Sequence, residues 1–364
     1  MRYHSEPLVR PAVDRSDLVG WLVDESVLQN WVAAMSIPAL LVIVVVSIVL
    51  LSKGADWMID GVVDLAQRTG LPKIVIGATV VSLGTTLPEA FVSVVAAFLG
   101  NPGLALGNGV GSIIADTGLI FGLTCVLVAV PVNRFILNRT GWVQVGSATL
   151  LVIVSVAAFL ASDGEPTLGR WVGVSLLVLL AGYLYVAYRW ARHSGGEASN
   201  DGVVVEKPMS LGRSWLLIIG GLTFVIAGAR VLVPAASEIA QRVGVPEDVI
   251  AATLVAFGTS LPELMTAIAA IRKGHPEITV GNIVGADVLN VLFVIGAAAT
   301  AAPLAVPDNF YSFHFPAMMI ILISFRVFIS MNRTHFRRWQ GAWLLGVYGV
   351  YVLLQYALNV GPVD

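Results

Sequence analysis

Two stretches decide the reading of this chain: "VVSLGTTLPEAFVSVVAAF", residues 80–98, and "LVAFGTSLPELMTAIAAIR", residues 254–272. Each is apolar enough to lie in a bilayer, yet each carries a glycine, a proline and a glutamate at mid-length: Gly84, Pro88 and Glu89, then Gly258, Pro262 and Glu263. Proline has no N–H to give a helix interior and its ring crowds the carbonyl four residues back, so each span should break and restart there. Thr86 to Glu89 has the order of a capping box, as does Ser260 to Glu263, which predicts that each glutamate caps its restarted helix. Capping does not explain depth. At about 1.5 Å per residue, Glu89 lies roughly 25 Å into a run of roughly 40 Å. A carboxylate there is costly unless partnered, and irregular backbone at that depth survives only around a cavity.

The two stretches stand at a fixed offset of 174 residues, and so do Gly54 and Gly228, "LAQRTGLP" (65–72) and "IAQRVGVP" (239–246), and Gly122 and Gly296. From Ala78 to Gly122, 16 of 45 positions are identical to their partners at 252–296, far above chance in apolar sequence, so the halves are duplicated. Apolar runs near 36–60, 72–99, 104–130, 141–161, 167–190, 214–240, 246–271, 278–301, 312–331 and 338–358 predict ten spans. The Gly-, Ser- and charge-rich segment 192–213 divides five from five and reads as a linker. The expected fold is thus an all-α integral membrane protein of ten transmembrane helices, with a polar, amphipathic segment at 1–35 and five-helix repeats at 36–191 and 214–364. An odd number of spans per repeat turns the second upside down relative to the first and brings the broken helices together at the midplane.

Composition agrees. Hydrophobic residues make up 57% and charged residues 12%, with a mean hydropathy of +0.85, whereas soluble domains are about a quarter charged. A net charge of -2 gives no basis for a nucleic-acid partner. The single cysteine, Cys125, excludes an intramolecular disulfide and makes a thiolate metal site implausible. Residues 1–33 lack the apolar core of a signal peptide, but Leu18, Trp21, Leu22, Leu28, Trp31 and Val32 fall largely on one helical face, as in a helix at the membrane surface. Among alternate connections, one set carries Arg68, Lys73, Arg134, Arg139, Arg189, Arg192, Lys207, Arg213, Arg272, Lys273, Arg326, Arg333, Arg337 and Arg338; the other carries only Arg2, Arg10, Arg15, Arg170 and Arg242. The first set should be cytoplasmic, which puts the linker inside and both termini outside an inner (plasma) membrane.

The third and eighth runs open with "LGNGVGSIIAD" (106–116) and "VGNIVGADVLN" (280–290), which bring Ser112 and Asp116, then Asp287 and Asn290, to mid-depth. If these runs cross the broken ones, the groups collected are Glu89, Glu263, Asp116, Asn290, the hydroxyls of Thr85, Thr86, Thr259, Ser260 and Ser112, and carbonyls freed at the breaks. Every donor is oxygen. That set disfavours zinc, copper and iron and suits a hard cation such as Ca²⁺, with Na⁺ or H⁺ as counter-ion and no cofactor. Lys53, Asp56, Asp60, Asp64, Arg230 and Glu238 should pair with neighbours or lie toward helix ends.

The paired "GTTLPE" and "GTSLPE" motifs, each followed at equal distance by a "GN..G" segment, resemble the two alpha-repeats of the cation/calcium exchanger superfamily, and the prokaryotic sodium/calcium exchanger-like proteins in particular. The resemblance implies a central calcium site at Glu89 and Glu263, completed by Asp116 and Asn290. It also implies flanking sodium sites at Thr85, Thr86, Ser112, Thr259 and Ser260, with carbonyls near Ser82 and Ala256. Three positions depart from the family's pattern: Ala286 stands where a serine is usual, and Ile113 and Asp287 where asparagines are. Asp287 adds a carboxylate near the site and is a candidate proton-linked group. The function so implied is sodium/calcium antiport by alternating access, with divalent cation/proton antiport on the same scaffold as the alternative. An intramembrane carboxylate hydrolase is remote, because neither a nucleophile nor a histidine base accompanies the glutamates. The chain is thus expected to be a transporter of small inorganic cations, not an enzyme.

Overall fold

In a computed structural model, the structure describes residues 25–69, 71, 73–98, 100–132, 134–161, 165–193, 209–243 and 260–357. A short helix, α1 (Glu25–Ala33), precedes the first long one, α2 (Ile37–Thr69). The first glutamate motif spans α3 (Lys73–Thr85) and α4 (Leu87–Phe98), which meet at 41°. There follow α5 (Pro102–Leu127), α6 (Arg134–Ala161) and α7 (Arg170–His193), then α8 (Leu211–Arg242), α9 (Leu261–Arg272), α10 (Pro276–Ala301), α11 (Phe310–Met331) and α12 (Arg338–Ala357). Two dipeptide strands, β1 (Thr167–Leu168) and β2 (Leu304–Ala305), pair antiparallel and tie two loops together.

Seven helices among the described residues are long and apolar enough to cross a membrane, and eight with the bent α3–α4 pair. Two of the ten expected spans fall outside that number. Only α9 represents the seventh, since 244–259 lie outside the described residues. The tenth, α12, is a 20-residue helix whose Arg338, Gln340 and Gln355 dilute its hydropathy. The linker is shorter than expected, because α7 continues to His193 and α8 begins at Leu211.

The 174-residue offset recurs in the backbone. Residues 87–98 of α4 correspond to 261–272 of α9, and each helix is followed by a glycine in the left-handed region, Gly100 (φ 79°) and Gly274 (φ 76°). A side chain is strained there, so glycine fixes both turns. Proline then occupies the first turn of the next helix, Pro102 in α5 and Pro276 in α10, where its missing N–H is not needed. Both of these helices widen into π-helical segments at mid-length, Ala115–Phe121 and Asn290–Ile295, a distortion that recurs at functional sites.

Contacts repeat when the halves are interchanged. A β-carbon on Gly54 would sit 2.6 Å from the Gly221 carbonyl oxygen, and one on Gly228 3.1 Å from that of Ser47, the interchanged pair. These small residues let α2 and α8 touch backbone to backbone along one seam. Likewise α7 rests on α10, where a β-carbon on Gly173 would lie 2.6 Å from the Gly296 oxygen, and α12 rests on α5, with Gly341 placed 2.5 Å from that of Gly122 in the same sense. The most apolar stretches of α5 and α10 are 72% and 83% buried, against 22% for α2, so these two helices form the core and α2 presents Leu41, Val42, Val45, Val46 and Val49 outward.

Residues 1–24 lie outside the described residues, and with them Leu18, Trp21 and Leu22 of the expected amphipathic face. On α1, Val32 is buried with Leu40 and Ala235 while Trp31 is exposed. Arg242 at the end of α8 donates to the carbonyls of Met35 (2.6 Å) and Ala33 (2.9 Å), which caps α1. The expected pairing of membrane-embedded charges is largely met: Asp60 binds Lys273 at 2.5 Å, Asp64 binds Arg68 at 2.8 Å, Glu238 binds Arg242 at 2.7 Å, and Asp56 lies 3.7 Å from Arg272.

Candidate functional site

The break between α3 and α4 falls at Thr86, with φ -83° and ψ -7°. Pro88, in the first turn of α4, cannot donate to Gly84, which ends the ladder of α3 and frees carbonyls at the bend. Ser260, ahead of α9, has nearly the same backbone, φ -86° and ψ 7°. The residue ahead of the motif helix thus has the same backbone in both halves, while 244–259, on the far side of the second motif, lie outside the described residues.

The hydroxyl half of the expected capping box is not formed, although Glu89 and Glu263 each accept from their own backbone N–H in the first turn. Ser260 makes no side-chain cap, and the hydroxyls of Thr86 and Ser260 are buried without a hydrogen-bond partner. The bends are held instead by proline and by local main-chain bonds, such as Thr86 N–H to the Ser82 carbonyl at 2.9 Å. Both hydroxyls are left over for something else.

Ser82, Thr85, Thr86, Glu89, Ser112, Asp116, Ser260, Glu263, Asp287 and Asn290 are all buried, none more than 5% exposed. Ala256 and Thr259 lie outside the described residues. Glu89 and Glu263 interact with each other and each with Asp116, which in turn interacts with Asp287. The Ser260 hydroxyl lies beside Asp116 without reaching good hydrogen-bond geometry, and the Thr85 hydroxyl lies beside Glu263. The bent α3–α4 pair, the start of α9 and the centres of α5 and α10 thus converge on one buried, electronegative spot.

Eight side-chain oxygens there have no hydrogen-bond partner: those of Thr86, Ser112 and Ser260, one carboxylate oxygen each of Glu89, Asp116, Glu263 and Asp287, and the amide oxygen of Asn290. Buried polar atoms are nearly always paired, so such a cluster signals a missing electropositive partner. Among the described residues no three His, Cys, Asp or Glu side chains are placed to hold a metal ion by themselves, so a cation here would draw on the hydroxyl and amide oxygens as well. Hydroxyl, amide and carboxylate oxygens together suit a cation that is taken up and released, because its cargo site is completed by neutral donors rather than by a rigid acidic shell.

Four residues passed over in the sequence support this spot. Asn108 donates to the Glu89 carbonyl (3.0 Å) and to Ser93 (2.9 Å), latching α5 to the broken helix. Its repeat partner Asn282 is 3.4 Å from both Thr85 and Thr266 and links α10 to α3 and α9. The asparagine of each "GN" pair was a visible signal. Thr117 and Gln144 hold Asp287, and for Gln144 no sequence signal existed, since the position 174 residues on is Met318.

A profile of the family described as "Sodium/calcium exchanger protein" matches residues 39–189 and 213–357. The chain belongs to this family. It is 31% identical over 323 residues to the inner membrane protein YrbG of Escherichia coli, covering 87% of this chain and 97% of that one. To the sodium/calcium exchanger MaX1 of Methanosarcina acetivorans it is 26% identical over 340 residues, covering 86% and 97%. Among solved structures, the sodium-calcium exchanger NCX_Mj soaked with Na⁺ and Sr²⁺ superposes with a TM-score of 0.72 at 28% identity, over 87% of this chain and 99% of that chain. The protein is accordingly a multi-pass membrane transporter of the cation antiporter type and not an enzyme, which removes the hydrolase alternative.

Proposed function

We propose that this exchanger moves Ca²⁺ against Na⁺ by alternating access, with Glu89 and Glu263 as the principal Ca²⁺ ligands and Asp116 and Asn290 completing the central layer. Thr85, Thr86, Ser112, Thr259 and Ser260, with carbonyls near Ser82 and Ala256, serve the flanking Na⁺ seats. The chain carries these groups on ten spans arranged as two inverted five-helix repeats, with the linker cytoplasmic and both termini outside the plasma membrane. The observation that supports the reading is the cluster of eight unpartnered buried oxygens where the two glutamate motifs meet α5 and α10. Hard oxygen donors around several carboxylates favour Ca²⁺ when all are charged, and neutral hydroxyl and carbonyl oxygens at the flanks suit an ion of lower charge such as Na⁺. The relatives named as sodium/calcium exchangers point the same way.

A second reading, exchange of a divalent cation for H⁺, is favoured by Asp287, a buried carboxylate beside Ala286, which has no hydroxyl to offer a Na⁺. Isotopic Ca²⁺ uptake into proteoliposomes separates the two. Uptake driven by an outward Na⁺ gradient at equal pH supports the first reading; uptake that requires a proton gradient and ignores Na⁺ overturns it in favour of the second.

A further inference from the structure

Asp287, whose free oxygen is one of the eight above, also belongs to a further group of side chains that meet on three different elements. Asp287 of α10 is 1% exposed, and its Oδ2 accepts hydrogen bonds from Thr117 Oγ1 of α5 at 2.5 Å and from Gln144 Nε2 of α6 at 2.5 Å. Gln144 Nε2 also lies 3.3 Å from Thr117 Oγ1, so the three side chains close a triangle, and Thr117 and Gln144 are completely buried. Two oxygens remain without any partner, Asp287 Oδ1 and Gln144 Oε1. The charged neighbour of Asp287 is Asp116, another carboxylate.

A carboxylate that served only to hold helices together would spread its hydrogen bonds over both oxygens. Here both donors converge on one oxygen and leave the other bare, and the amide that donates also leaves its own oxygen bare. Burying such a charge without a counter-charge is costly, and the rarity of the arrangement within membranes marks a functional group. The empty oxygens are hard donors, and one carboxylate with neutral amide and hydroxyl groups balances a single positive charge but not two.

We propose that Asp287, Gln144 and Thr117 form a seat for one monovalent cation, Na⁺ in the antiport reading on which this rests, separate from the oxygens of Glu89 and Glu263. In this seat Asp287 supplies the charge and Gln144 a ligand oxygen. Thr117 is a positioning residue, since its hydroxyl is spent on holding Asp287. Because Gln144 belongs to α6, the seat ties a helix outside the glutamate motifs to the ion pathway. Occupancy would draw α6 and α10 together.

The test is equilibrium binding of ²²Na⁺ to the purified full-length protein in divalent-free detergent buffer. Asp287→Asn is expected to bind about one Na⁺ fewer than wild type. Gln144→Leu, which removes the oxygen, should weaken one Na⁺ class by roughly 10- to 100-fold. Melting temperatures in cation-free buffer identify any variant that has simply misfolded, and Thr117→Ser, which preserves the hydroxyl, supplies a gentler comparison with Thr117→Val. An unchanged number and affinity of Na⁺ in folded Asp287→Asn and Gln144→Leu overturns the inference, as does a wild type that binds no Na⁺. Binding of ⁴⁵Ca²⁺ by Glu89→Gln in the same preparation reads the central oxygens independently. A normal value there sinks the antiport site, whereas unaltered Na⁺ binding by Asp287→Asn alone sinks only the seat.

Discussion

Replacing Gly285 by alanine probes how closely the eighth span must approach the broken helix. A β-carbon at Gly285 would lie 2.5 Å from the Ala78 carbonyl oxygen, 2.5 Å from Ser82 Oγ and 2.7 Å from Ala78 Cα. Ordinary contact begins at 3.4 Å, so α10 and α3 must part by about 0.9 Å, the difference between the two distances. Ala78 sits in the π-helical turn Gly77–Val81 and cannot withdraw without disturbing it. Overpacking of this kind costs about 1–3 kcal/mol, and replacing glycine by alanine in a helix recovers about 1 kcal/mol. The net loss of stability is therefore about 0–2 kcal/mol. The effect on transport should be larger, since displacing a reacting geometry by about 1 Å costs on the order of 10²-fold in rate, and an ion held by oxygens from α3 and α10 together is as sensitive. Thermal melting and Ca²⁺ flux in proteoliposomes, measured on the same preparation, should show a modestly destabilised protein with little flux. Gly146→Ala, where nothing lies within 4 Å of the new methyl group, should transport normally and melt no lower. Wild-type flux from Gly285→Ala would refute the reasoning, because the two helices would then not need this approach.

Two further outcomes follow from the pairing of the halves. Asp116→Asn keeps a ligand oxygen and should retain substantial Ca²⁺ flux with an altered pH profile, Asp116→Ala should lose more, and Asp116→Asn with Asn290→Asp should exceed Asn290→Asp alone, which adds a fourth carboxylate beside Glu89, Glu263 and Asp116; equal flux and identical pH profiles across these variants would remove Asp116 from the pathway. Cysteine labelling in intact cells, with Cys125 replaced, should modify the 194–208 segment only after the membrane is opened, and labelling from outside would overturn the charge-based orientation.

The sequence announces the breaks, the repeat and the oxygen cluster because each depends on residue types that act locally. Pro88 lacks an N–H for the carbonyl four residues back, Gly100 and Gly274 permit a left-handed turn, and the 174-residue offset pairs Glu89 with Glu263 without reference to the fold. The capping box misled for a physical reason. Threonine and serine at those positions have the right spacing, but the packing around them leaves their hydroxyls buried and unbonded. The seam between α2 and α8 depends on pairs far apart in the chain, such as Gly54 with Gly221, whose meeting no local pattern states. Gln144 is the extreme case. One polar residue in a long apolar helix has no motif and no repeat partner, and only the packing of α6 against α10 and α5 reveals what it touches.

The most direct test of the central claim is Ca²⁺ binding and flux in Glu89→Gln and Glu263→Gln, since the amide preserves the shape of each side chain and removes its charge. Both variants should be extracted as folded protein, bind Ca²⁺ far more weakly than wild type and fail to move it under any cation gradient. Normal Ca²⁺ flux in either variant would contradict the claim that the carboxylates at the two helix breaks hold the transported ion.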